Sequence, residues 1–114
     1  MTRQIVGIAG SISYITMPEG LPVRFDPPAR SVSLIRHSLA LVVLPGTFGA
    51  ENLVIIGRSG DELVRLGTTC STGYVDQVLE VKGEIRVIEI TPNEAYQSRL
   101  DLETFDMQRV GVWR

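Results

Sequence analysis

Along this chain apolar residues return at every second position far more often than at every third or fourth, the spacing of a pleated ribbon rather than a helix. In "SVSL", Val32 and Leu34 fall on one side and Ser31 and Ser33 on the other; in "RLDLE", Leu100 and Leu102 oppose Arg99, Asp101 and Glu103. A strand turns such a pattern into one buried and one wet face, so these segments predict half-buried strands. "EIRVIEI" at 84–90 starts with Ile85 and Val87 in phase and then hands the apolar phase to Ile88 and Ile90, which predicts a β-bulge or a switch of buried face.

Breakers punctuate the pattern at short intervals: "PEG", "DPP", "PGTFG", "GRSGD", "TTCSTG", "KG" and "TPNE". Short strands at this spacing predict an all-β domain, an antiparallel β-sandwich of jelly-roll-like type, spanning 1–114 as a single unit. The predicted strands are 4–8, 11–17, 21–25, 31–36, 39–44, 52–56, 62–66, 74–82, 84–90, 98–105 and 107–112. "VKGE" predicts a two-residue hairpin. In "TPNEAYQSRL", Thr91 is placed to cap one helical turn that opens with Pro92 and carries Glu94.

The stretch "PVRFDPPARSVSL" at 22–34 is the stiffest in the chain. Pro27 and Pro28 fix their φ angles, remove two backbone donors and push Asp26 towards an extended conformation, so they must stand outside any central ladder. Arg24 and Phe25 end one predicted strand and Arg30 leads into the next. A rigid corner of this kind serves as a plain connection between sheets or as a contact loop.

The composition suits a globular chain: 44% of 114 residues are hydrophobic and 21% charged, enough to bury a core without disulfide or metal staples. A formal charge of -2 supplies no general basic field for nucleic acid or for a membrane surface, and neither is an expected partner. Of the 11 basic residues only Lys82 is lysine. An arginine excess reflects either genome composition or surfaces that become buried against partners, where the weakly hydrated guanidinium is favoured. Cys70 stands alone, so there is no intrachain disulfide. "LALVVL" at 39–44 is far shorter than the ~20 residues of a membrane span, and the first residues read as mature protein rather than a signal peptide.

Candidate chemistry is sparse. His37 and Cys70 are the single histidine and the single cysteine. A Cys-His nucleophile pair would need both side chains in hydrogen-bond reach and a third group to orient the imidazole; a loop thiol and a solvated histidine fit "TTCSTG" and "IRHS" better. Tetrahedral zinc lacks ligands, Asp61, Glu62 and Asp76 do not have EF-hand spacing, which leaves a loop calcium open, and no cofactor is expected. Glu84, Glu89, Asp101 and Glu103 read as solvent-facing or interface charges rather than a catalytic pair. "GIAGS" and "GRSG" lack the ending of a phosphate loop. Among the aromatics, Phe48 and Trp113 are placed to reach outwards, as partner contacts or as a sugar platform.

"LPVRFDPPARSVSL", followed by strand pairs around glycine-rich turns and a Thr/Ser/Gly loop, resembles small β-rich structural proteins of tailed bacteriophage particles, namely head-decoration, cement and spike-base proteins. The resemblance implies a non-enzymatic virion component, made in the host cytoplasm, that assembles as a homo-oligomer or with other capsid or tail proteins. The expected contact residues are Arg24, Phe25, Arg30, Phe48 and Trp113. One lysine among so many strands leaves edges without their usual protection, and segments 1–20 and 105–114 are candidates for exchange between subunits. The alternative is a small carbohydrate-binding β-sandwich module.

Overall fold

All regular structure in the described residues, 5–35 and 38–113 of a computed structural model, is strand. Nine antiparallel strands follow in order: β1 (Ile5–Thr16), β2 (Pro22–Ile35), β3 (Leu39–Val43), β4 (Leu53–Gly57), β5 (Glu62–Leu66), β6 (Tyr74–Val81), β7 (Glu84–Ile90), β8 (Ala95–Leu100) and β9 (Met107–Val112). β1 to β5 form one sheet and β6 to β9 a second, each with its strands side by side in chain order. The β-sandwich is as predicted. The jelly-roll connectivity is not: the two sheets are meanders joined by residues 67–73, whereas a jelly roll winds its strands as Greek keys.

Register explains the core. Ile35, Leu41, Val43, Leu53 and Ile55 share the inner face of the first sheet and pack on Val75, Ile85, Val87 and Leu100 of the second. The opposite face of the first sheet carries Val32, Ala40, Val42, Val54 and Ile56, all buried as well. The far half of the β1–β2 hairpin covers them, contributing Ile12, Ile15, Met17, Val23 and Phe25. Its tip reaches the β4–β5 turn: Glu19 N–H donates to Arg58 O at 3.1 Å and the two side chains pair at 3.0 Å. A Cβ on Gly20 would lie 2.3 Å from Ser59 O, so only glycine allows this approach. The molecule therefore has three layers: sheet, sheet and hairpin ribbon.

The proline pair makes the bend that this third layer requires. Tyr14 pairs with Arg24 and Ile12 with Ala29, so residues 25–28 stand opposite Ser13 alone. The two prolines sit outside the ladder as predicted, yet the strand continues through them instead of ending. Eleven predicted strands thereby become nine, since 4–8 merges with 11–17 and 21–25 with 31–36.

Two further expectations are revised. Thr91 does cap a turn, accepting from Glu94 N–H at 3.1 Å, but the turn is the β7–β8 hairpin and β8 starts at Ala95, so no helical turn forms. "RLDLE" is not one strand: β8 ends at Leu100, and Asp101 receives N–H donors from Glu103 and Thr104 in a tight turn that tucks Leu102 and Phe105 against the core. The "VKGE" hairpin forms as predicted, with Val81 opposite Glu84 and positive φ at Lys82 and Gly83. The phase slip in "EIRVIEI" corresponds to a bulge on the neighbouring strand: Val75 pairs with Glu89 and Gln77 with Ile88, leaving Asp76 extra.

Candidate interaction surface

The five expected contact residues do not converge on one site. Arg24 and Phe25 lie on the bent part of β2 and line a cleft of about 330 Å³ with Asp26, Pro27, Leu44, Pro45 and Arg65. Arg24 is exposed and sits 5.7 Å over the Tyr14 ring, while Phe25 is half-buried against the ribbon core. Arg30 pairs with Asp76 of the second sheet at 3.6 Å. Phe48, in the β3–β4 loop, is 58% exposed and packs on Tyr74 with ring centroids 5.5 Å apart. Trp113 is half-buried, and its N–H extends the β8–β9 ladder by donating to Ala95 O at 2.8 Å.

Two polar residues that the alternating pattern did not single out join the loops to the sheets. Asn52 is 3% exposed, and its amide acts as an extra piece of strand between the sheets. Nδ2 donates to Leu44 O at 2.8 Å and Val75 O at 2.7 Å, and Oδ1 accepts from Val75 N–H at 2.8 Å. Glu89 is fully buried within the single chain, which corrects its reading as a solvent-facing or interface charge. The carboxylate accepts from Thr69 N–H, from Thr69 Oγ1 at 2.9 Å and from Ser98 Oγ at 2.8 Å, with Arg109 Nε 3.8 Å away. Those partners explain the burial: the carboxylate holds the loop that crosses between the sheets.

Cys70 lies in that same loop, half-buried, its Sγ 3.0 Å from Thr72 Oγ1. The Thr72 hydrogen bonds, assisted by the positive charge of Arg109, lower the thiol pKa below its usual value. His37 lies outside the described residues. Among the described residues no group of three or more His, Cys, Asp or Glu is placed to hold a metal ion.

At the far end of the second sheet a cleft of about 580 Å³ is lined by Glu84, Arg99, Asp101, Glu103 and Asp106 among others, with no aromatic wall. Within it Glu84 pairs with Arg99 at 3.6 Å and with Arg86 beside the cleft. Arg86 donates twice to Glu84 Oε2, at 2.7 and 3.0 Å, and holds the Glu84 pKa below the ordinary carboxylate value.

The sheet edges differ in how they are guarded. β5 carries the Glu62–Arg65 ion pair and β6 carries Asp76 and Glu80, charges that discourage pairing with another chain. β9 exposes Val110 and Val112, and its single charge, Arg109, folds back to lie 3.8 Å over the Tyr96 ring. β1 has no charged residue in its twelve positions, and Ile8 on it is 48% exposed. Its outer edge is regular from Ile5 to Ala9, the span paired with Ser31–Ile35, before the register breaks. No helix of the described residues is long and apolar enough to cross a membrane. Compared with known proteins, the chain matches no family model, no curated protein and no solved structure.

Proposed function

We propose that this protein is a non-enzymatic building block that assembles with copies of itself through its sheet edges. On the resemblance of its "LPVRFDPPARSVSL" stretch, its setting is the particle of a tailed bacteriophage, as a decoration, cement or spike and tail component that also meets other capsid or tail proteins. The observation that carries the reading is the uncharged outer edge of β1. An edge row of backbone donors and acceptors with no charged residue in the strand itself invites another strand, and soluble monomers normally block it. β9, with Val110 and Val112 exposed, supports the same reading from the other sheet.

The polar geometry gives catalysis little to work with. Glu89 has its oxygens occupied by Thr69 and Ser98, and Glu84 is held by Arg86. A glycan-binding module is the second reading, favoured by Phe48, which stands exposed on Tyr74 beside a loop cleft of about 260 Å³ that includes Gly49 and Cys70. Size-exclusion chromatography with light scattering, followed by a glycan array, separates the two. A closed oligomer without glycan retention supports assembly; a monomer retained by glycans, and released from them by Phe48→Ala, overturns it.

A further inference from the structure

The ribbon that forms the third layer is attached in an unusual way. Its own strand pairs, Tyr14 with Arg24, Ile15 with Val23 and Thr16 with Pro22, are complete within it, and β3 pairs only with Ser31–Ile35 further along β2. Moving residues 12–25 therefore breaks a single pair of the ladder, Ile12 with Ala29. On one strand the ribbon joins the sheet through Gly10, at φ +132° with open space around its Cβ position. On the other it joins through residues 25–28, which have no ladder partners and include two prolines without N–H groups. The ladder is thus interrupted on both strands at about the same level.

What holds the ribbon down is burial of Met17 and its neighbours on Val54 and Ile56, plus the tip contacts to Arg58 and Ser59. Apolar burial is non-directional, and every one of these contacts would be reproduced by the same ribbon from a second copy. Leu21, 83% exposed, and Tyr14, 55% exposed, keep their exposure in either arrangement, so exchange leaves the ribbon's surface unchanged.

We propose that residues 12–25 form an exchangeable ribbon, which in the assembled protein crosses to a second copy and covers the outer face of that copy's β2–β4 strands. The proposal rests on the assembly reading above and names its partner and its contact. Residues 10–11 and 26–28 serve as the two hinges, and strand pairing of residues 5–9 with Ser31–Ile35 stays within each chain.

The test is the variant Glu19→Cys/Arg58→Cys in a Cys70→Ser background, which places one thiol on the ribbon tip and one on the turn it meets. After oxidation of the separated oligomer, exchange predicts disulfide-linked bands at twice the chain mass on a denaturing, non-reducing gel. Should the oligomer form while all its disulfides close within single chains, exchange is overturned and edge assembly stands. Should the parent protein be monomeric at every concentration, the assembly reading falls and exchange with it. A second measurement leaves the sequence unchanged: protein refolded from a mixture of Met-methyl-labelled and Ile,Val-methyl-labelled chains is examined for magnetisation transfer between chains. Transfer from Met17 to Val54 or Ile56 of another chain is expected, and its absence in the oligomer contradicts exchange.

Discussion

Asn52 shows how much one amide contributes when it stands between two sheets. Its three hydrogen bonds satisfy Leu44 O and both backbone groups of Val75, in a place that water does not reach. Asn52→Ala leaves those groups unsatisfied, with an expected loss of about 3 kcal/mol in denaturant unfolding at unchanged m. Cys70 belongs to the same scale. Because Thr72 is the main cause of its lowered pKa, the thiolate is present at a pH where an ordinary thiol is still protonated. The pH profile of alkylation should have its midpoint below the usual thiol value in the native protein, and Thr72→Val should move that midpoint upward. An unchanged profile would remove Thr72 as the cause.

Among the elements, the ribbon divides what could be read from the chain from what could not. Alternation located the strand segments and the prolines located the bend, because both are local properties of the backbone. The covering of the outer face was written in "LALVVL" and "LVII", apolar runs without alternation, which mark strands buried on both sides. Those runs show that a second face is covered without naming what covers it, since Met17 on the ribbon lies 37 residues upstream of Val54. Asn52 and Glu89 escaped for a related reason: a buried polar residue looks like a surface one until its partners, at Val75 and Thr69, are brought to it by the fold. The five expected contact residues were chosen by residue type, and the structure spreads them over both sheets.

The ribbon's dependence on side-chain burial gives an element-scale prediction. Met17, 2% exposed, is its deepest residue, and Met17→Ala removes the buried side chain while leaving the ribbon's own ladder intact. Stability should fall by about 2 to 3 kcal/mol. Amide exchange should quicken first within residues 12–25 and much less in β3 and β4, as expected for local opening. Uniform acceleration across both sheets would show that the ribbon is not a separate layer.

For the whole molecule, two meanders close a core on one side of the first sheet, a ribbon closes the other, and the outer edge of β1 remains open and uncharged. Edge assembly is the central claim, and Ile8→Lys tests it directly. Ile8 is 48% exposed, so a lysine there is solvated in the single chain and unfavourable only where a second strand docks. Sedimentation velocity over a concentration series should show the parent protein as an oligomer and Ile8→Lys as a folded monomer, with association at least about tenfold weaker, a difference of about 1.4 kcal/mol. A parent protein that sediments as a monomer at every concentration, or an oligomer that Ile8→Lys leaves intact, would contradict the claim that the β1 edge carries the assembly.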